Sequence, residues 1–426
     1  MFGGVRKAGW ATILAGGVIL AGGAPATAAD LGGNCCADLE ERIAELEATT
    51  ARKGNRKVSL KISGWVNESV FFWDDGREHN VYVGTNTLEQ SRFKFSGEAK
   101  IDKDWSAGYT IELGVKGGDE GAFSQTNTGF SSSSEGVTIR KSYWYLKSKQ
   151  LGSVAVGQNG SATYHAVDDA DATNTRNYSD FEAASVAMSS FNALSGGTPT
   201  GVTWKTILRG FNNSTPGQAG RREVVRYDSP EFSGFVVSAA WGVDDLWDVG
   251  LTYNGKIGDF KIAAKGGYGE STDELSTVCG GPAVNFQCNW FGAGATIMHS
   301  PTGLYVYGGY GQQKVESLAP GLDQTSTTWL IQPGIEHKWN PLGATTIFGE
   351  YRHDDPGASV SSAGAVASFG GDINFWAGGV VQNIEAAAMD LYLIYRHADG
   401  EFNPTAVTTK TLDDFDMVIT GARIQF

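Results

Sequence analysis

The carboxylates of VDDADATNTRNYSDFEAA are the densest concentration of chemistry in the chain: Asp168, Asp169, Asp171, Asp180 and Glu182 fall within fifteen residues. Such a group can hold a cation or set an electric field. Asp169, Asp171 and Asp180 stand first, third and twelfth in a twelve-residue frame, which loosely echoes a calcium loop. Thr173 and Asn174 replace the usual acidic residue and glycine, however, and the last ligand is Asp rather than Glu. Calcium in 159–220 is therefore a weak expectation, and no other metal or cofactor is expected. Cys279 and Cys288 lie nine residues apart in a Gly/Pro/Asn-rich stretch, as a disulfide pinning one loop would. Cys35 and Cys36 are adjacent; a vicinal bridge is strained, so free thiols or links to other chains fit as well. No CxxC or Cys/His spacing suggests zinc. No serine has glycine at both flanking second positions, and H-E-x-x-H and P-loop motifs are missing. No enzyme is expected.

Composition narrows the class. Arg6 and Lys7 precede an uncharged apolar run, Ala11 to Ala24, and Ala26-Thr27-Ala28 offers the small residues that a signal peptidase reads. Residues 1–28 are expected to be a secretory signal peptide. The rest of the 426-residue chain has no apolar run long enough for a membrane-spanning helix. Strands that cross lipid are apolar only at alternate positions, which keeps mean hydropathy low. Fifty-eight glycines, fifteen tyrosines and twelve tryptophans against eleven prolines fit a glycine- and aromatic-rich sheet. A net charge of −14 argues against nucleic acid as a partner.

The elements follow from periodicity. In 38–51, Leu39, Ile43 and Leu46 recur at spacings of four and three between charges. The segment 34–56 thus reads as a helix and basic linker, the helix either pairing with sister helices as a short coiled coil or packing on its own barrel. From Val58 onward the period is two. Trp105, Ala107, Tyr109, Ile111, Leu113 and Val115 share one face, and Ser106, Gly108, Thr110, Glu112 and Gly114 the other. Sixteen such segments run from 58–73 to 413–426. Tight connections (DKDW, SKQLG, SPEF, KIGDF, HSPTG, WNPLG, NIEAA) alternate with mostly long ones. The connection near Asp244-Asp245 is short and breaks the rule. Short turns at one rim and long loops at the other predict an all-β, 16-stranded antiparallel transmembrane β-barrel over 58–426.

Lipid offers no hydrogen-bond partner, so the sheet must close. Sixteen tilted strands make a barrel too wide for side chains to fill, and a polar inner face brings in water. The longest connection, 159–220, is expected to fold inward and narrow this bore. Its acids would face inward-pointing basic residues on the wall: Arg92, Lys94, Lys100, Arg140, Arg226, Arg352, Arg396 and Arg423. The alternative leaves the acids on a solvated outer loop. The acidic excess suggests mild cation selectivity. Tyr392, Trp376 and Phe348 could line a path for one substrate class. Phe71, Phe72, Trp73, Trp105, Trp144, Trp290, Trp339, Tyr351 and Tyr395 are candidates for interfacial belts.

The last strand, FDMVITGARIQF, ends in Phe426 and resembles the C-terminal signal read by the outer-membrane assembly machinery. ADLEERIAELEATTARKGNRKVSLKISGWVNE (37–68), followed by VGTNTLEQSRFKFSGEAKIDKDWSAGYTIELGV (83–115), resembles the general porins of alphaproteobacteria. The resemblance is strong over about the first 160 residues and at the C-terminus, and loose through the long loops. It implies a sixteen-stranded barrel, a homotrimer embedded among membrane lipid and lipopolysaccharide, an inward third loop, and passive diffusion of small solutes and ions. The rival reading is a substrate-specific channel. A structural or adhesive role for the helix at 38–51 is a third.

Overall fold

The computed structural model describes residues 57–129, 136–182, 187–208, 215–243, 245–273, 287–316, 318–360 and 365–426. The expected signal peptide, the 34–56 segment, Cys35, Cys36 and Cys279 lie outside them.

The described chain is almost entirely β. Its barrel strands are β1 (Lys61–Asp74), β2 (Arg92–Lys100), β3 (Trp105–Lys116), β4 (Gly136–Ser148), β5 (Gly152–Gly160), β6 (Arg221–Asp228), β7 (Phe235–Gly242) and β8 (Leu246–Ile257). They continue with β9 (Phe260–Ser271), β10 (Cys288–His299), β11 (Leu304–Val315), β12 (Thr325–Asn340), β13 (Gly343–Asp355), β14 (Gly371–Ile384), β15 (Met389–Thr405) and β16 (Phe415–Gln425). Each pairs antiparallel with its sequence neighbours. β16 returns to β1, with Trp65 opposite Gln425 and Asp74 opposite Asp416. The sheet therefore closes with sixteen strands, and closure leaves no backbone edge to lipid. Among the described residues no helix is long and apolar enough to cross a membrane.

The period of two fixes which way each side chain faces. On β8, Val249 and Leu251 are exposed outside while Asp248 is buried inside. On β1, Val66 and Phe72 face out while Asn67, Ser69 and Phe71 face in. Trp376, a candidate for the inner path, lies on the outer face and is 52 % exposed; Phe348 and Tyr392 do point inward.

Two features depart from the sequence reading. The connection after β1 contains an extra strand, His79–Thr85, which folds back onto the upper half of β1, with Glu68 opposite Thr85. β2 pairs only with the lower half of β1, Lys61 to Trp65. The second departure is larger. The inner face is not polar all round. Phe71 and Trp73 on β1, Phe375 on β14, Ile394 on β15, and Phe415, Met417 and Ile419 on β16 form an apolar inner wall. A strand hairpin, Asn192–Ser195 with Thr198–Thr203, and a helical turn, Trp204–Ile207, fill that side. Phe191 lies 4.9 Å from both Trp73 and Phe415, edge to face. Burying such aromatics stabilises by about 1.5–3 kcal/mol each. Part of the bore is thus core rather than water.

Candidate functional site

The segment 161–182 runs along the inner wall, and the wall is built to receive it. The Asp248 carboxylate accepts the Ala162 N–H at 3.0 Å, the Thr163 N–H at 2.8 Å and the Thr163 hydroxyl at 2.6 Å. Trp290 Nε1 donates to Thr163 Oγ1 at 2.8 Å. Lys265 Nζ donates to the Tyr164 carbonyl, and the Tyr307 hydroxyl to the Val167 carbonyl. Farther along, the Thr175 hydroxyl donates to Gln332, the Tyr178 hydroxyl to Asp390, and the Ser179 hydroxyl to Glu350. Glycine lets the loop lie flush: a methyl at Gly294 would collide with the Val167 carbonyl of this segment, and one at Gly311 with the Pro216 carbonyl near the loop's end. A loop of this length can cross the inside of a barrel because the strands beneath it carry a polar anchor or a missing side chain at the crossing.

These contacts decide where the five carboxylates go. Asp169 is the one exposed to the bore; it accepts from Lys265 Nζ at 2.7 Å and from Arg176 Nη2 at 3.2 Å. Asp168, Asp171, Asp180 and Glu182 are buried. This corrects the expectation that all five line water. Asp180 pairs with Arg176, and Asp171 accepts from the hydroxyls of Thr173 and Thr175. The residues of the calcium frame are engaged by protein donors: Asp169 and Asp180 share Arg176, and Asp171 turns to the Thr173 and Thr175 hydroxyls. A tighter group forms instead from His165, Asp168 and Glu182, whose polar atoms all lie within 4.8 Å of one another. His165 Nδ1 is 2.5 Å from Asp168, and Gln218 Nε2 donates to Glu182 at 2.9 Å.

Crowding carboxylates away from water moves their proton affinities. Burial pushes Asp171 up to about 6, against the pull of its hydroxyl donors. Burial also raises Asp180 and Glu182 well above the ordinary carboxylate range, with Asp168 adding to both. Burial depresses His165. Asp169 goes the other way, held far down by Lys265 and Arg176 despite its desolvation.

The basic wall divides likewise. Arg352 and Arg396 are buried under the inward segment: Arg352 pairs with Asp354 at 2.7 Å and donates to the Phe181 carbonyl, and Arg396 donates to Ser179 Oγ at 2.7 Å. Arg423 pairs with Asp390 at 3.0 Å, and Arg226 with Asp228 at 2.8 Å. These four brace the wall and the loop, and do not face a row of loop acids. Arg92 and Arg140 share Glu112, at 3.2 and 2.9 Å. Lys94 and Lys100 make no ion pair among the described residues.

Three residues at this level escaped the sequence reading. Lys141 shares an inward face with Arg140 because β4 bulges opposite Glu112 and Leu113. Arg221 opens β6. Tyr164 projects between them, with Lys141 Nζ 5.7 Å and Arg221 Cζ 5.8 Å from its ring centroid. A bulge breaks the alternation that assigns faces, so periodicity alone places Lys141 and Arg140 on opposite sides. Away from the bore, Cys288 is disulfide-bonded, and Phe426 donates its N–H to the Gly64 carbonyl at 3.0 Å, tying the last residue to the first strand.

The closed antiparallel barrel is a fold that solved structures share. An anion-selective porin from Comamonas acidovorans superposes with a TM-score of 0.59 at 14 % identity, over 87 % of this chain and 100 % of that one. OmpT of Vibrio cholerae gives 0.52 at 15 %, over 88 % and 99 %. The outer-membrane channel DcaP of Acinetobacter baumannii gives 0.50 at 13 %, over 88 % and 100 %. At these identities the likeness is one of fold. Comparison with curated proteins finds no match. The family profile described as Gram-negative porin matches residues 12–287, more than half of the sequence. The chain belongs to the Gram-negative porin family.

Proposed function

We propose that this outer-membrane porin is a general diffusion pore whose open path favours small anions. The carrying observation is an asymmetry of charge. Four of the five loop carboxylates are buried, while Lys94, Arg140, Lys141, Arg221 and Lys265 stay half-buried on or beside the open half of the wall. This reading departs from the mild cation preference expected from the acidic composition, because acids that do not face water do not act on the permeant ion. The Comamonas acidovorans porin that shares this fold is anion-selective, which is in keeping with the same sign here. A salt gradient across a planar bilayer containing the purified protein tests the reading. The zero-current potential should carry the sign of chloride permeation, and neutral solutes should pass in order of size without saturation.

The finer assignments belong to the same reading. The resemblance at 37–68 and 83–115 supports the alphaproteobacterial branch. A homotrimer fits the family; OmpT of Vibrio cholerae has a trimer form. Deleting 34–56 and running native electrophoresis tests whether the N-terminal segment holds the subunits together. We infer no catalytic role; hydrolysis of lipid or peptide by the purified protein would contradict that. We infer no calcium bound through Asp169, Asp171 and Asp180, and expect a chelator to leave the melting temperature unchanged.

A further inference from the structure

We propose that His165, Asp168 and Glu182 form a binding site for one divalent ion of the zinc class, which clips the two ends of the inward segment together. The site stands apart from the pore reading: a barrel that passed no current would still bind the ion.

These three side chains are one cation short. His165 Nδ1 lies 2.5 Å from Asp168 Oδ2 and 3.5 Å from Glu182 Oε1. Gln218 Nε2 reaches the same two oxygens, at 3.4 and 2.9 Å. Two carboxylates thus converge on one imidazole nitrogen, which can give a proton to only one of them. Asp168 is wholly buried, and its Oδ1 has no hydrogen-bond partner. A buried carboxylate oxygen without a donor is uncommon and calls for water or an ion. Arg176 and Arg221 lie within electrostatic reach of Glu182 and offset part of the charge. Arg176, however, stands 3.9 Å from Asp168 and is engaged by Asp169 and Asp180, and Arg221 also faces Glu112 and Tyr164. Neither supplies Asp168 Oδ1 with a donor. A water would satisfy that oxygen but leave two acids facing one nitrogen; a divalent ion answers both.

The donor set fixes the class of ion. Imidazole nitrogen suits zinc and its first-row neighbours, whereas calcium and magnesium take oxygen ligands. Two ligands on a tetrahedral ion with bonds near 2.1 Å stand about 3.4 Å apart. His165 Nδ1 and Glu182 Oε1 already have that spacing. The closer His165–Asp168 contact opens by about 1 Å as the proton between them leaves. Gln218, bonded to both acids, holds them in place as an outer amide does around a metal. His165 has a φ of 54°, in the left-handed region that few residues other than glycine adopt, and such a conformation is kept where its surroundings hold it. His165 and Asp168 stand near the start of 161–182 and Glu182 at its end, so one ion joins the two.

The test is calorimetric titration of zinc chloride into the untagged protein, purified and dialysed in metal-free buffer at pH 7. We expect one ion per chain with a dissociation constant in the micromolar range. His165→Asn and Glu182→Gln should each weaken binding by more than about tenfold, and Gln218→Leu by about tenfold. Asparagine is chosen because it tolerates the left-handed conformation. His353→Gln and His397→Gln, which alter two other histidines standing beside carboxylates, should leave binding unchanged. Calcium should bind more weakly than zinc. Hydrogen exchange gives a readout that needs no variant: with zinc at ten times its dissociation constant, exchange in 161–182 should slow by about tenfold, and β1 and β16 should not change. Absence of saturable heat, binding unmoved by His165→Asn, calcium held more tightly than zinc, or loss of binding in His353→Gln or His397→Gln would overturn the site.

Discussion

At the scale of residues, single carboxylates decide whether the inward segment stays seated. Asp248 receives three donors from Ala162 and Thr163 at the point where the chain leaves the wall. Hydrogen bonds to a charged group contribute about 1.5–3 kcal/mol, and two of these donors are backbone N–H groups that would lose their acceptor. Asp248→Ala should therefore loosen 161–182, seen as noisier and larger single-channel conductance and as new protease cleavage in that stretch. Unchanged conductance would mean that the remaining anchors suffice. The buried acids predict a pH effect. Asp171 is pushed up to about 6 and Glu120, buried against Ser69 and the Thr87 N–H, up to about 7. A carboxyl whose folded value is raised contributes stability that is complete below its unfolded value, near 4, and lost as pH rises through the folded one. Depressed His165 acts oppositely, its contribution fading as pH falls below about 6.5. Asp171→Asn isolates one contribution: the melting temperature should fall less between pH 4 and 7 in that variant than in the parent. Equal slopes would assign the effect to other groups.

At the scale of elements, the apolar filling carries the most specific prediction. Phe191 packs between Trp73, Phe71 and Phe415. Phe191→Ala should cost about 3–5 kcal/mol of local stability. Because the hairpin rather than the barrel bears that cost, hydrogen exchange should rise in 187–208 and remain slow in β1 and β16. The strands were legible in the sequence because each obeys one alternation and ends in a turn with its own residue chemistry. β3 was readable from Ile111 and Leu113 against Thr110 and Glu112 alone. The hairpin was not, since Phe191 and Trp204 sit in a polar loop and find their partners on β1 and β16, far away in sequence. Inward Phe71, Phe415 and Met417 carried the missing signal: apolar residues on the face meant for water. The wall glycines did so too. Gly294 and Gly311 counted only toward a glycine-rich composition, yet they mark where another backbone lies against the strand. The acidic run was legible as a cluster but not in its direction, because burial depends on anchors as distant as Gln332 and Glu350.

At the scale of the whole molecule, a closed sheet satisfies lipid on one side while the inward chain divides the other side into core and channel. The apolar half packs the hairpin as core; on the proposed reading, the other half leaves a path whose charge is set by what remains unburied. Screening bounds the effect. At molar salt the Debye length falls to about 3 Å, so ion preference should fade while conductance persists. The most direct measurement is the zero-current potential of the purified protein in a planar bilayer under a salt gradient. The account predicts discrete conductance steps and a potential of the sign that chloride permeation gives. Silent bilayers, or a potential of the opposite sign, would contradict it.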